Sequence, residues 1–215
     1  METYYQRNAA HIKARNLAYY KRNAEKRKRD FKLRELRLKT TVTRHYGGGE
    51  SKCVLCGENR LGSLHIDHVD GGGKQHRKAI KKKGGGAFYN WLIKNGFPSG
   101  YRTLCANCNW LSHLQTNSTK LSASPAAIAA RHRTTRHKPI VVAKLGGQCA
   151  TCPITDINLL TIHHTNHDGA DHRRTIAKGK GGWPFYVRLI ESNDFTGLEL
   201  RCFSCNDAEE YERTV

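Results

Sequence analysis

The stretch Leu104–Leu111, "LCANCNWL", places two cysteines three residues apart and an asparagine directly after the second. The same arrangement returns as "RCFSCNDA" at Arg201–Ala208. Cys-x2-Cys is the spacing of a zinc knuckle, because two thiolates placed in this way can bind one tetrahedral ion. The asparagine adds an oxygen donor at the start of the element that follows. The two octapeptides therefore indicate a metal-stapled fold that is built twice.

Working outward from these octapeptides reveals an internal repeat. At an offset of 96 residues, "CVLC" at 53–56 aligns with "CATC" at 149–152, and "HIDH" at 65–68 aligns with "TIHH" at 161–164. The same offset aligns the His-Arg dipeptide at 76–77 with the one at 172–173, and an offset of 97 aligns "AFYNWLI" with "PFYVRLI". An ordered series of matches predicts a tandem duplication of one structural unit.

All eight cysteines fall into two matching sets of paired knuckles. The sets are Cys53, Cys56, Cys105 and Cys108 in the first copy, and Cys149, Cys152, Cys202 and Cys205 in the second. Four thiolates in a tetrahedron are the closed geometry of structural zinc, although an iron–sulfur cluster or paired disulfides would also use four cysteines. We expect two structural Zn²⁺ ions, because only 38% of the residues are hydrophobic and metal binding would stabilise a lean core.

The stretch "SLHIDHVD" at 63–70 alternates apolar and polar residues, as a half-buried strand does. Asp67 and His68 stand together at its end, and Asn109 is expected on the first turn of a helix that opens at Cys108. A carboxylate and an amide oxygen suit a hard cation such as Mg²⁺, and an imidazole suits proton abstraction. We therefore predict that Asp67, His68 and Asn109 meet around a second ion, Mg²⁺ or Mn²⁺. His113, four residues after Asn109, would be either a further ligand or a surface histidine.

This pattern, "CVLC…HIDHVDGGG…HR…LCANCN", resembles the HNH or ββα-metal endonucleases, specifically the zinc-stapled branch typified by phage recombination endonuclease VII. The resemblance implies an α+β fold of two tandem ββα-metal units, each with a four-cysteine zinc site. It implies that His68 is the general base and that Asp67 and Asn109 bind the catalytic ion. The corresponding residues of the second copy are a base, His164, and two ion ligands, His163 and Asn206.

The second copy has His163 where the first has Asp67, and imidazole shifts metal preference from Mg²⁺ toward Mn²⁺, Ni²⁺ or Zn²⁺. Nearby, Asn166, His167 and Asp168 add further candidate ligands. The helix after Asn206 reads "DAEEYE", an acidic surface to lay beside phosphates. The residues leave open whether this copy is active or is a degenerate copy kept for DNA binding.

Lys and Arg number 37 against 18 acidic residues, a formal charge of +19 that indicates a nucleic-acid partner before an anionic membrane. Residues 1–46 lack Gly and Pro and are predicted to form a long basic helix. The Gly- and Lys-rich segment after His68 would contact a phosphate backbone or form a solvated loop. The side chains expected to bind DNA are Arg27, Arg29, Arg34, Arg37, Arg77, Lys78, Lys81, Lys82, Lys83, Arg131, Arg133, Arg173 and Arg174.

The predicted organisation is a basic helical arm at 1–46, a first HNH and zinc unit at 47–114, a linker with a short basic helix at 115–140, and a second unit at 141–215. Ser124 is a predicted N-cap for the linker helix, with Pro at the first position, and the helix is expected to end before Pro139. Neither a secretory h-region nor an apolar run long enough to span a bilayer is found. We expect a cytoplasmic protein, bacterial or phage-encoded in a bacterial host, with no membrane partner.

The predicted function is cleavage of double-stranded DNA, branched DNA included, by a monomer whose two units act as a pseudo-dimer. Two live sites would cut both strands, as in a homing-type or restriction-type enzyme or a junction resolvase. One live site and a degenerate second copy would make a nickase. The alternative is a non-catalytic zinc-dependent protein that binds nucleic acid.

Overall fold

The computed structural model describes residues 3–81, 85–117 and 124–214. The first half contains α1 (Tyr4–Arg22), α2 (Ala24–Tyr46), β1 (Leu64–His68), α3 (Gly73–Ala79), α4 (Gly85–Lys94), β2 (Tyr101–Cys105) and α5 (Ala106–Asn117). The second half contains α6 (Pro125–Lys144), β3 (Leu160–His164), α7 (Gly169–Ala177), α8 (Trp183–Ser192), β4 (Leu198–Cys202) and α9 (Phe203–Thr214). The order strand, helix, helix, strand, helix occurs in both halves, and the predicted α+β class is confirmed.

Each half has its own antiparallel pair of strands with an equivalent register. Leu64 of β1 lies opposite Cys105 of β2, and Leu160 of β3 lies opposite Cys202 of β4. The strand predicted in the first copy is confirmed, and it ends at His68 with Asp67 just before it. The register places the paired knuckles at one end of each sheet and the strand-ending histidine at the other.

Two small clusters of buried side chains flank each sheet. In the first half, Leu64 and Leu104 pack with cysteines, whereas Phe88 and Leu92 of α4 pack against Val42 of α2. The second half repeats this division, with Leu160 and Leu200 beside its cysteines and Phe185 and Leu189 of α8 against Val141 of α6. Because the cysteines form part of the core, the metal sites and the apolar packing support the same elements.

The N-terminal segment is helical and largely exposed, as predicted, but it consists of two helices rather than one. They meet at Asn23, whose N–H donates to the carbonyl oxygen of Tyr19 at 3.1 Å. The last turns of α2 belong to the first core, since Val42 and Thr43 are fully buried. Glu35 of α2 lies against Gly86 of α4, so closely that a side chain at Gly86 would collide with its carboxylate. The arm therefore joins the first unit through its C-terminal half.

Two of the predicted helix boundaries are wrong. The linker helix α6 begins at the predicted Ser124 cap, whose Oγ accepts from the Ala127 N–H at 3.3 Å, but it continues through Pro139 to Lys144. Burial of Val141 and Val142 outweighs the backbone hydrogen bond that proline cannot make. Helix α5 begins at Ala106, two residues before the predicted Cys108. Residues 118–123 of the polar linker lie outside the described residues.

The two halves contact each other through the first turns of α5 and α9. The N–H of Asn107 donates to Ser204 Oγ at 3.1 Å, and the N–H of Ser204 donates to Asn107 Oδ1 at 3.0 Å. These residues occupy equivalent positions in the repeat and both are buried. A reciprocal contact between equivalent positions is the sign of a two-fold relation, here within one chain.

Within the described ranges, no helix has the length and apolar character needed to cross a bilayer.

Candidate active sites

The eight cysteines form the two predicted clusters of four, and the ligand atoms of each cluster lie within 4.8 Å of one another. The Sγ atoms of Cys56 and Cys105 are 3.6 Å apart, and those of Cys152 and Cys202 are 3.7 Å apart. Zinc with Zn–S bonds of about 2.3 Å separates its sulfur ligands by about 3.8 Å in a tetrahedron. All eight are free thiols rather than disulfides. Both clusters therefore fit structural zinc.

One thiol in each cluster has a lowered pKa and therefore loses its proton more readily than an ordinary cysteine. Burial raises the pKa of Cys53, but backbone N–H groups of Cys105, Leu55 and Cys56 outweigh it and lower the pKa to about 7. In the second cluster, burial is likewise outweighed by hydrogen bonds, which lower the pKa of Cys149 to about 6. Zinc binds thiolates, so these two positions suit the first step of metal binding.

The predicted site of the first copy is a cavity of about 500 Å³ between the end of β1, α3 and α5. Its lining includes Asp67, His68, Arg77, Asn109 and His113, so the predicted ion ligands face a common space. Asp67 at the end of β1 and Asn109 on α5 offer a carboxylate and an amide oxygen, which are the ligands that a hard cation prefers.

Asp67 is held in place by an ion pair. Its Oδ2 accepts from Arg102 Nε at 2.9 Å, and Arg102 Nη2 donates to Ser112 Oγ at 2.8 Å. Arg102 is the cross-strand partner of Asp67 in the sheet register. The guanidinium thus orients the carboxylate from one side, and the other carboxylate oxygen is not used in this ion pair.

The ring of His68 is fixed by a second histidine that was absent from the predicted site. His68 Nε2 lies 3.1 Å from His76 Nδ1, and the Tyr101 hydroxyl lies 3.3 Å from the same His76 nitrogen. The other nitrogen, Nδ1, lies beside Gly73, where a Cβ would stand only 2.8 Å away. Burial, followed by the charges of His76 and Arg77, lowers the pKa of His68 below its ordinary value. The side chain is therefore a neutral base at pH 7.

The second copy contains the same pair of histidines. His164 Nε2 lies 3.0 Å from His172 Nδ1, and a Cβ at Gly169 would stand 2.8 Å from His164 Nδ1. Burial is the largest cause of the lowered pKa of His164, with His172 next. The sequence did carry a signal for these partners, because the His-Arg dipeptide recurs at the same offset as the strand-ending histidine.

The ion-binding side of the second copy differs from the first. His163 Nδ1 lies 3.0 Å from Asn206 Oδ1, and His163 Nε2 lies 3.6 Å from Glu209 Oε2. His167 Nε2 lies 3.9 Å from the other Glu209 oxygen, and Arg201 forms an ion pair with Glu209. Asn206, a predicted ion ligand, lies on the opposite edge of the His163 imidazole from Glu209. Glu209 was missed because an acidic helix was interpreted only as a surface unfavourable to phosphates.

The predicted DNA-binding side chains are spread over several surfaces. Those of α2 are exposed, and so are Lys78 and Lys81, whereas Arg173 is half-buried beside Gly169 and Arg174 is paired with Asp171. On α6, Arg133 lies over the ring of Trp183 at 4.7 Å. Arg131 is half-buried, and the exposed residues of α2 are Arg27, Arg29, Arg34 and Arg37. Lys82 and Lys83 lie outside the described residues.

His113 lines the first cavity and also stacks on Trp110, with ring centroids 5.5 Å apart.

Comparisons with protein-family models, with curated proteins and with solved structures give no match to this chain.

Proposed function

We propose that this protein is a metal-dependent endonuclease of the HNH type, which hydrolyses phosphodiester bonds of double-stranded DNA. One observation carries the proposal. In both copies a histidine with a lowered pKa, half-buried His68 or buried His164, ends a strand directly after a candidate ion ligand. That ligand lies near the asparagine on the first turn of a helix that a four-cysteine cluster anchors. A protein that only binds nucleic acid has no need of a base and an ion ligand in this arrangement.

His68 is proposed as the general base of the first copy. Its Nδ1 would accept a proton from the attacking water while a P–O bond forms to that water and the bond to the 3′ oxygen breaks. The departing oxygen takes a proton from solvent, which leaves a 5′ phosphate and a 3′ hydroxyl. Because Nε2 of His68 is bonded to His76, the ring cannot rotate without losing that hydrogen bond.

Asp67 and Asn109 are the residues that would hold Mg²⁺ or Mn²⁺ beside this base. When bound, the ion supplies positive charge that stabilises the pentacovalent phosphate and the departing oxygen. Arg77 follows His76 on α3, and its Nη1 would lie 3.3 Å from a Cβ at Gly73, close to the base. This guanidinium is placed to contact a phosphate on the same side of the cavity.

Two features support DNA as the substrate and a pseudo-dimer as the working form. The net charge of +19 favours a polyanion, and the exposed arginines of α2 extend the basic surface away from the first site. The reciprocal contact between Asn107 and Ser204 links the units as a two-fold dimer would. Because the two sites differ in their ion ligands, the preferred DNA need not be palindromic.

A nicking assay on supercoiled plasmid tests the proposal, with His68→Ala, His164→Ala and the double variant compared in Mg²⁺, Mn²⁺ and Ni²⁺. Removing one base should abolish one strand cut, and removing both should abolish cleavage. DNA affinity should change little, because the positive charge that attracts DNA belongs to Lys and Arg side chains and not to either histidine. Plasmid left intact by the unmodified protein in every metal would contradict the nuclease proposal and favour a non-catalytic protein that binds nucleic acid. A His68→Ala variant that cuts both strands normally would exclude His68 as a base.

A further inference from the structure

The turn after β3 contains a histidine in an unfavourable backbone conformation. His167 has φ 56°, in the left-handed region, whereas its counterpart in the first copy is Gly71 with φ 73°. The left-handed conformation costs a residue with a Cβ about 1–2 kcal/mol, and such residues concentrate at functional sites. The second copy thus tolerates backbone strain to bring an imidazole to a position where the first copy has no side chain.

A second observation concerns His163, which is only 8% exposed. The amide oxygen of Asn206 lies 3.0 Å from His163 Nδ1 and accepts hydrogen bonds, which assigns the hydrogen of the His163 ring to Nδ1. Nε2 then presents a lone pair, and within the described part of the chain this buried atom has no hydrogen-bond partner. It points toward Glu209 and His167. A buried acceptor without a partner is unfavourable by about 1–3 kcal/mol.

Three donors converge at this point. The ligand atoms of His163, His167 and Glu209 all lie within 4.8 Å of one another, and the two imidazole nitrogens are 3.6 and 3.9 Å from the carboxylate oxygens. Nitrogen and oxygen ligands around one tetrahedral zinc ion, with bonds near 2.1 Å, lie about 3.4 Å apart. Both nitrogen–oxygen distances lie within a few tenths of an ångström of this spacing, and no pair of the three ligand atoms exceeds it by more than about 1.4 Å.

We infer that His163, His167 and Glu209 form a third transition-metal site, which takes Zn²⁺ or a similar ion such as Co²⁺ or Ni²⁺ rather than Mg²⁺. Two imidazoles and one carboxylate are a ligand set for these metals, whereas Mg²⁺ prefers oxygen ligands. Asn206 is then not a ligand but the outer-shell partner that sets the tautomer of His163. This inference deepens the proposed function. The metal site itself does not depend on nuclease activity, but a role of the ion in DNA cleavage rests on the proposed function.

The charged groups around the site allow a cation to bind. Arg201 contacts Glu209, but it also forms an ion pair with Glu199 at 2.5 Å. Glu199 can hold the guanidinium alone when Glu209 turns an oxygen to an ion. The cross-strand partners of the two candidate ion ligands carry opposite charge. In the first copy basic Arg102 lies opposite Asp67, and in the second copy acidic Glu199 lies opposite His163. Because Glu199 is paired with Arg201, the carboxylate that supplies negative charge beside the two imidazoles is that of Glu209.

Metal content of the full chain tests the inference without any cleavage assay. Protein loaded with Zn²⁺ and dialysed in the presence of excess Mg²⁺ should retain three zinc ions, two in the four-cysteine clusters and one here. His167→Gly restores the residue of the first copy, relieves the backbone strain and should retain two. Glu209→Gln should also retain two, and Asn206→Ala should weaken the third ion about 10- to 100-fold.

Matched controls are His132→Ala on the exposed face of α6 and Glu210→Gln beside Glu209, both of which should retain three ions. Loading with Co²⁺ separates the sites by spectrum, since only the four-cysteine clusters give thiolate charge-transfer bands. Two zinc ions in the unmodified protein, or three in His167→Gly, would overturn the inference. A protein that holds three ions but cuts no DNA would leave the metal site standing and refute the nuclease proposal.

Discussion

Gly73 gives the sharpest test of the proposed base, because its missing side chain decides where the His68 ring can lie. An alanine Cβ at this position would stand 2.8 Å from His68 Nδ1 and 3.1 Å from Cε1, whereas ordinary van der Waals contact begins at 3.4 Å. The ring or the first turn of α3 must then move by roughly 0.6 Å. A misplacement of about 1 Å at a reacting group lowers a rate on the order of a hundredfold.

We therefore expect Gly73→Ala to slow cleavage by the first copy on the order of tenfold to a hundredfold. Stability should change little, because Gly73 is the first residue of α3 and the preference of alanine for a helix, up to about 1 kcal/mol over glycine, offsets part of the cost of moving the ring. Nicking rates are compared in a His164→Ala background, so that only the first site cuts, and stability is measured by denaturant unfolding.

Gly71→Ala is the matched control. Gly71 has φ 73°, and a Cβ added there would meet nothing within 4 Å, so alanine adds backbone strain of about 1–2 kcal/mol without touching the base. The control should lose stability and keep its rate per folded molecule. The reasoning is refuted if Gly73→Ala cleaves at the normal rate, or if its rate falls only in proportion to lost stability.

The remaining predictions concern the histidine pair, pH, zinc and the interface between units. His76→Ala should lower kcat about tenfold or more, with KM for DNA nearly unchanged, because His76 orients the His68 ring. His76→Asn restores a hydrogen-bonding group and should recover part of the rate. An equal loss of rate in both variants would contradict this role of His76. Because the pKa of His68 is lowered, protonation should reduce the cleavage rate only as pH falls below 6.5, and a pH–rate profile with its midpoint above 6.5 would disagree. Cys105→Ser should lose one zinc ion and unfold the first unit, seen as a joint loss of metal and circular dichroism, since structural zinc contributes on the order of 10 kcal/mol. Asn107→Ala leaves the buried Ser204 N–H without its acceptor and should lower the free energy of unfolding by about 1–3 kcal/mol, measured by denaturant titration.

Residues that carry their chemistry in local spacing were predictable. The Cys-x2-Cys pairs, the duplication and the strand that ends at His68 all follow from patterns within a few residues or from a repeated offset. Metal ligands must lie at fixed distances from a common ion, so their spacing along the chain already restricts the fold. The α+β class and the pairing of the cysteines were therefore determined by the sequence.

Contacts between distant segments were decided only in the tertiary structure. His76 of α3 lies beside His68 at the end of β1, and Glu209 lies beside His163 because α9 packs against β3. Helix α6 passes through Pro139 because two valines beyond it are buried, which no local rule for proline includes. Burial and convergence depend on which faces meet in space, and neither is encoded at a fixed spacing along the chain.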